Sequence, residues 1–194
     1  MTQTAIPYLL MRGGTSRGPY LNRADLPQDL KTLAEVLIAI VGSGHPLNID
    51  GIGGGAAVTT KVAMLSRSQD SWADVDYFFA QVSVEDKFVY FKPTCGNILT
   101  GVGPAAIEMG LVEAQEGETS VNILTQNTQA RVACVVQTPA RQVSYEGAAR
   151  IDGVPGSSAP IAVQFMETVG GITGAFLPTG NRVDEIDGIA VTCM

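Results

Sequence analysis

The chain has 194 residues, of which 45% are hydrophobic, and it carries a formal net charge of −7 with a pI near 4.6. This composition suits one globular domain or one lobe of a larger protein. The acidic balance argues against a nucleic acid partner, whose phosphates require a basic face. No apolar run approaches the ~20 residues that span a bilayer, so no membrane partner is expected.

The N-terminus and the cysteines both point to the cytoplasm. The N-terminal sequence MTQTAIPYLLMRGG has no basic segment ahead of its short apolar stretch, so we expect no signal peptide. Cys95, Cys134 and Cys193 are widely spaced and form no CxxC pair, which argues against a disulfide framework and against a zinc site. An odd set of free thiols fits a reducing compartment.

Strand-like segments rich in β-branched and aromatic residues dominate the chain. In order, they are residues 6–11, 61–66, 75–84, 87–91, 121–125, 131–137, 159–167 and 173–178. Residues 83–90 predict a hairpin that turns near Glu85 and Asp86. One helix is predicted over 29–44, where apolar residues recur at helical spacing and Gly42 is a plausible stop.

A second helix is predicted from Cys95 to Gly110 in spite of its glycines. Gly96, Gly101 and Gly103 cost up to ~1 kcal/mol each relative to alanine. Apolar residues surround the predicted helix on all sides, which is typical of a buried helix packed closely against strands (Ile98, Leu99, Val102, Ala105, Ala106, Ile107, Met109). The expected fold is therefore α+β, with a strongly curved sheet or barrel around a central helix, rather than a doubly wound parallel sheet.

Two glycine motifs match known patterns only in part. GTSRG (14–18) matches a nucleophile elbow, but PYLN follows where a helix should begin and His45 is the only histidine. We therefore interpret Thr15 and Ser16 as residues that bind a carboxylate through hydroxyls and turn N–H groups. GIGGGA (51–56) lacks the flanking strand and helix of a dinucleotide site, and we interpret it as a nest of backbone N–H groups able to face an anion.

The cysteines differ in what their surroundings predict. No metal site is expected, because His45 has no second histidine to share a metal with. Cys134 lies in RVACVVQ and is interpreted as a buried small hydrophobe. Cys95 stands where a strand ends and an apolar helix begins, so its sulfur is expected to face the free N–H groups of the first turn, which favour the thiolate, as does Lys92. The residues alone leave a structural and a catalytic role of Cys95 open.

Four motifs in this order resemble the PrpF family of the diaminopimelate-epimerase superfold. They are MRGGTSRG (11–18), IDGIGGG followed by TTKVAML (49–65), CGN (95–97) and PTGN (178–181). The resemblance implies a fold of two similar lobes, each a barrel-like sheet around a central helix, with the active site between them and no cofactor. The members that the chain most resembles catalyse the keto-enol tautomerisation of 4-oxalomesaconate in gallate degradation.

The resemblance also implies the residues of the site. By motif, Lys61 and Cys95 are the acid/base pair. The residues implied to hold the carboxylates of the substrate come from the turn after the first strand, from the residues after the cysteine and from the last motif (Arg12, Gly13, Gly14, Thr15, Ser16, Gly96, Asn97, Thr179, Gly180, Asn181). The expected partner is a small tricarboxylate, and a homo-oligomer is compatible with the sequence.

The chain departs from the family pattern in two respects. Pro93 and Thr94 replace the usual glycine and asparagine before CGN, so the loop that leads to the helix is expected to have a different shape. The sequence stops where the family crosses into its second lobe, so we expect residues 1–184 to form an N-terminal lobe and 185–194 to begin the crossover. A methylaconitate-type cis-trans isomerase, a racemase or epimerase, and a non-catalytic polycarboxylate-binding lobe remain as alternatives.

Overall fold

Strands account for most of the architecture. A computed structural model of the chain describes residues 3–166, 174–177 and 179–192. Eight strands form one mixed sheet in the order β1-β2-β3-β4-β6-β7-β8, with β5 paired to the end of β4. They are β1 Tyr8–Gly13, β2 Ser16–Asn22, β3 Lys61–Arg67, β4 Val75–Val82, β5 Val89–Tyr90, β6 Gly117–Thr125, β7 Arg131–Thr138 and β8 Ala162–Phe165. The β2/β3 and β4/β6 pairs are parallel and the other neighbours are antiparallel.

Helices cover the two faces of this sheet. Helix α1 (Leu30–Val41) packs on the outer face, and α2 (Gly96–Leu99) and α3 (Val102–Glu108) lie on the inner face. Alternate residues of the strands supply the two cores. We call the first the outer cluster (Leu21, Leu26, Leu33, Leu37, Val41, Val62, Met64, Ala80, Val82, Val89). The second is the inner cluster (Tyr20, Ala63, Leu65, Val75, Tyr77, Phe79, Ile98, Leu99, Val102, Ala105, Ala106, Val121, Ile123, Val132, Cys134, Val136).

The expected fold class is confirmed, because a curved mixed sheet encloses the buried helical segment that follows Cys95. Helix α1 has the predicted form. The Asp29 side chain accepts a hydrogen bond from the Thr32 N–H at 2.9 Å, and Gly42 ends the helix with φ at 78°. The hairpin predicted for 83–90 is also confirmed by the antiparallel pairing of Gln81 with Tyr90.

The second predicted helix is broken into α2 and α3, which corrects the expectation of one continuous helix. The carbonyl of Ile98 receives the Tyr20 hydroxyl at 2.6 Å and the Gly101 N–H at 3.0 Å, so the regular ladder stops there. Pro104 has no N–H to donate to the carbonyl of Thr100. A side chain at Gly101 would meet the Tyr20 hydroxyl, which explains the glycine. From Ile98 to Ala106 every residue except the half-buried Thr100 is buried, as predicted for the centre of this segment.

Other sequence predictions need correction at their edges. Strand β2 was not predicted, because Gly18 and Pro19 are untypical of strands. Five of its seven residues are nevertheless buried. Residues 174–177 of the predicted strand 173–178 form bends, and 173 and 178 lie outside the described residues, as does 167 of the predicted strand 159–167. Val183–Ile186 (β9) and Ile189–Thr192 (β10) form a separate hairpin. The predicted boundary after residue 184 falls inside β9, and the division into lobes stays a prediction.

Candidate active site

The turn between β1 and β2 packs directly on the start of α2. Gly14 adopts φ of 54°, in the left-handed region that glycine tolerates. A Cβ atom on Gly13 would lie 2.5 Å from the Asn97 carbonyl oxygen and 2.9 Å from Ile98 Cα. The Thr15 N–H donates to Asn97 Oδ1 at 3.3 Å. The structure thus joins two of the predicted binding segments, the glycine turn and the residues that follow Cys95.

Ser16 places a hydroxyl inside this junction. It is the first residue of β2, and its side chain is on the inner face with Gly18 and Tyr20, since alternate residues of a strand share a face. The residue is 2% exposed, and its Oγ has no hydrogen-bond partner in the described residues. A buried hydroxyl left unpaired costs about 1–3 kcal/mol, so Ser16 Oγ keeps a hydrogen-bonding capacity that the described residues do not use. No helix follows Ser16, which agrees with the rejection of a nucleophile elbow.

Cys95 lies beside that junction as the residue that precedes α2. Its backbone is extended, its side chain is half-buried against the inner cluster, and its carbonyl accepts the Leu99 N–H at 3.0 Å. The side chain makes no capping hydrogen bond to the helix. Helix α2 is a single turn, so only a few aligned peptide groups contribute a dipole at Cys95. This weakens the argument that a helix dipole stabilises the thiolate.

Two phenols approach the segment that carries Cys95. The Tyr77 hydroxyl donates to the Cys95 carbonyl at 3.4 Å, and the Tyr20 hydroxyl donates to the Ile98 carbonyl. Burial, and in second place the charge of the Cys95 sulfur, raise the pKa of both phenols. They therefore remain protonated and act as fixed donors that hold the loop of Cys95 in place.

Lys61 lies on the same inner face, at the first position of β3. It alternates with Ala63 and Leu65 of the inner cluster, and its side chain is half-buried rather than extended into water. Its Nζ donates to Gln81 Oε1 at 2.7 Å and lies 5.5 Å from the centre of the Phe79 ring. The position over an aromatic face stabilises an ammonium group.

Lys61 and Cys95 both contact the inner face of the sheet. Lys61 is in contact with β2, because a Cβ atom on Gly18 would collide with its carbonyl oxygen. The Phe79 ring beneath its amine belongs to the inner cluster, against which Cys95 also packs. An amine, a thiol and an unpaired hydroxyl thus face the same interior, a set that can move a proton and bind an oxygen anion.

Arg12 has a different environment from the one implied by the family motif. Its guanidinium donates to the Gly14 carbonyl at 2.7 Å and to Ser158 Oγ at 3.0 Å, so it braces the turn from the exposed side. Arg12 and Gly14 line a cavity of about 810 Å³ between β1 and residues 144–161, whose lining includes neither Lys61 nor Cys95. The role of Arg12 in substrate binding stays a prediction.

The residues of the last motif are not joined to this site in the described parts of the chain. The Thr179 hydroxyl donates to the Asp184 carboxylate at 2.8 Å, and the Asn181 amide donates to the same carboxylate at 3.2 Å. A Cβ atom on Gly180 would meet nothing within 4 Å. Pro178 lies outside the described residues. Substrate binding by Thr179, Gly180 and Asn181 stays a prediction.

The interpretation of the glycine loop 51–56 as an anion nest is wrong for five of its six N–H groups, which donate within the protein. Their acceptors are the carbonyls of Asn48, Ile40 and Val41 and the side chains of Asn48 and Thr59. The loop packs on the end of α1, where a Cβ atom on Gly51 or Gly53 would strike the backbone of Val41. These contacts fix the loop, which leads through a 3-10 turn (Ala57–Thr59) to Lys61 at the start of β3.

Gln81, Tyr20 and Tyr77 were missed by the sequence argument. Their positions carried a signal, since Tyr77, Phe79 and Gln81 alternate along one predicted strand and must share a face. Among the described residues, no group of three or more His, Cys, Asp or Glu side chains is placed to hold a metal ion. In the same ranges no helix is long and apolar enough to cross a membrane.

Comparisons with known proteins identify the family of the chain. The chain belongs to the PrpF family, since residues 3–194 match the family model described as PrpF protein. It is 51% identical to YbhH of Escherichia coli (strain K12) over 189 residues, 97% of this chain and 54% of that protein. It is 49% identical to a 4-oxalomesaconate tautomerase of Pseudomonas putida over 194 residues, 100% of this chain and 54% of that protein. The chain spans about half the length of the curated relatives it matches.

A solved structure shows the same fold. The crystal structure of a methylitaconate-delta-isomerase superposes with a TM-score of 0.87 at 42% identity, over 93% of this chain and 47% of that one. The curved sheet around a buried helical segment is therefore the fold of this half of the family.

Proposed function

We propose that the chain carries the acid/base half-site of a cofactor-independent isomerase that shifts a proton within an unsaturated tricarboxylate, with 4-oxalomesaconate as its substrate. The observation that supports the proposal is the half-buried amine of Lys61, which lies over Phe79 of the same inner cluster that Cys95 packs against. The substrate rests on 49% identity to a protein named for that reaction.

The proposed reaction requires only acid/base groups and stabilisation of negative charge. A proton next to a carbonyl and vinylogous to a carboxylate is already acidic, and its removal gives a dienolate. The protein must supply a base, an acid and stabilisation of the spreading negative charge. Lys61 and Cys95 exchange protons with the two ends of the delocalised system, and the glycine turn with the hydroxyl of Ser16 binds a carboxylate. No redox change occurs, so no electron acceptor is required.

A proposal about the whole protein follows from the shared length. We infer that residues 1–184 form one lobe and that residues 185–194 begin the connection to a second lobe, because relatives about twice as long match this chain over about half of their length. The second lobe closes the cleft over Lys61 and Cys95. A cytoplasmic location and a homo-oligomer are part of the same proposal.

The test is ultraviolet absorbance on mixing with 4-oxalomesaconate, with methylaconitate and an amino acid as alternative substrates. The assay is run on this chain and on a chain of the relatives' length. We expect tautomerisation of 4-oxalomesaconate, with kcat lowered at least 100-fold in Cys95→Ser and in Lys61→Ala and binding little changed. Lys31→Ala is the matched control, because Lys31 is exposed on α1. Full turnover in either site variant contradicts the proposal.

A second candidate reaction is favoured by one observation. The solved structure that superposes at a TM-score of 0.87 is named for methylitaconate, a smaller unsaturated dicarboxylate. The same Lys61 and Cys95 serve that class of proton shift, so methylitaconate is added to the assay, and preference for it over 4-oxalomesaconate would assign the second substrate class. Binding of both acids without turnover would leave a polycarboxylate-binding lobe, and turnover of the amino acid would assign a racemase.

A further inference from the structure

We infer that Gln81 is a positioning residue for Lys61: its side-chain amide fixes the amine in one orientation by a neutral hydrogen bond that leaves the amine free to exchange its proton. This inference rests on the proposed function for its catalytic meaning. The two residues are direct partners in the antiparallel β3/β4 pair, and Lys61 Nζ donates to Gln81 Oε1 at 2.7 Å.

The orientation of the Gln81 amide is settled by its other contacts. Its Nε2 donates to the Ala57 carbonyl at 3.2 Å and to Thr60 Oγ1 at 3.0 Å. Thr60 is fully buried, and its hydroxyl is committed to the Val82 carbonyl at 2.7 Å, so it accepts from the amide. A flipped amide would set its oxygen against a carbonyl oxygen. The amide oxygen must therefore face Lys61.

A fixed acceptor matters because a lysine side chain is flexible. Its four-carbon stem has many rotamers, and an amine that samples many positions spends little time near the substrate. Here one donor bond goes to Gln81 and the Phe79 ring lies beneath the nitrogen. The remaining donor directions are left for a substrate.

The neutrality of the partner is the second part of the inference. The one ion pair that the described residues form joins Arg131 to Asp70, so no carboxylate lies within ion-pair distance of Lys61 in those ranges. The titratable groups on the same face are the thiols of Cys95 and Cys134 and the phenols of Tyr20 and Tyr77. A carboxylate at position 81 would strongly favour the ammonium form of Lys61, whereas the neutral amide oxygen favours it less.

The experiment compares Gln81→Glu and Gln81→Leu with the parent chain. The first readout is the titration of the Lys61 amine by NMR on labelled protein, assigned with Lys61→Arg. We expect Gln81→Glu to move the midpoint upward by about one pH unit, since an opposite charge at this distance favours the ammonium form. Gln142→Glu adds the same charge at an exposed position after β7 and should leave the midpoint in place. An unmoved midpoint in Gln81→Glu overturns the inference.

The second readout is kinetic and separates this inference from the proposed function. With 4-oxalomesaconate, Gln81→Leu is expected to lower kcat about 10- to 100-fold and to change KM less than about threefold. A shifted midpoint in a protein without turnover refutes the proposed function and leaves the contact of Gln81 with Lys61 standing. Turnover that needs Lys61 but is indifferent to Gln81 overturns the positioning role alone. If Gln81→Leu does not fold, the titration of the Lys61 amine in Gln81→Glu decides whether the inference stands.

Discussion

Gly103 stands in α3 at a point where β7 closely approaches the helix. A Cβ atom on this residue would lie 2.5 Å from Cys134 Sγ and 2.8 Å from Val136 Cγ2, whereas an ordinary contact begins at 3.4 Å. Both neighbours are buried in β7, at 0% and 1% exposure, and have little room to retreat. The substitution Gly103→Ala therefore measures how much the close packing of helix on sheet contributes.

The expected magnitude combines two opposing effects. Overpacking of a buried site costs about 1–3 kcal/mol, with the upper half of that range expected where two neighbours obstruct the new methyl group. Alanine recovers about 1 kcal/mol of helix propensity. The net loss in the free energy of unfolding is about 1–2 kcal/mol, which lowers Tm by about 2–8 °C for a chain of this size.

Thermal and urea unfolding followed by circular dichroism provide the assay, and Gly96→Ala is the matched control. At Gly96 the nearest atom to a new Cβ is Phe165 Cζ at 3.5 Å, so this variant should be as stable as the parent or slightly more stable. The double variant Gly103→Ala with Cys134→Ala should recover part of the loss, because the obstructing sulfur is gone. A Gly103→Ala protein that melts at or above the parent temperature would refute the packing argument.

Two further predictions concern buried polar groups. The Asn48 amide donates to the carbonyls of Gly42 and Val84 at 3.0 and 3.1 Å and accepts from the Gly55 N–H at 2.9 Å. Because Asn48→Ala removes these bonds, it should lower the free energy of unfolding, measured in urea, by about 2–4 kcal/mol. A loss below about 1 kcal/mol would contradict this prediction. Burial raises the pKa of Cys134 to about 12 from an ordinary value of 9.0. The protonated thiol therefore contributes its full stabilisation below pH 9, and this contribution is lost as the pH rises toward 12. The free energy of unfolding should fall more steeply from pH 9 to 11 in the parent than in Cys134→Ala. Equal slopes in the two proteins would contradict this prediction.

Local signals in the sequence were sufficient for much of the fold. Helix α1 was predictable because its apolar spacing and Gly42 act within one segment. The burial of the second helical segment was predictable from its apolar residues. Its glycines were predicted to allow close packing against strands, and the close approach of Gly103 to Cys134 confirms this. The break between α2 and α3 was not predictable in this way, because it depends on the hydroxyl of Tyr20, 78 residues away in the chain.

The candidate site was predictable in its members and not in its contacts. The motifs identified Lys61 and Cys95 as candidates. The hydrogen-bond partner of Lys61, however, depends on the register of β3 against β4, which could not be predicted from the sequence. The glycine loop was misinterpreted for the same reason, since its N–H groups are used by α1 and by Asn48 rather than offered to a ligand. Contacts between distant segments decide such details.

The most direct test of a shared Lys61 and Cys95 pocket is the alkylation rate of Cys95 by iodoacetate relative to iodoacetamide, followed by mass spectrometry of its peptide. An ammonium group beside the thiol favours the anionic reagent, so Lys61→Met should lower the iodoacetate-to-iodoacetamide ratio about three- to tenfold. Lys31→Met, which removes an exposed charge on α1, should leave the ratio unchanged. A ratio that is the same in the parent and in Lys61→Met would contradict the placement of the two side chains in one pocket.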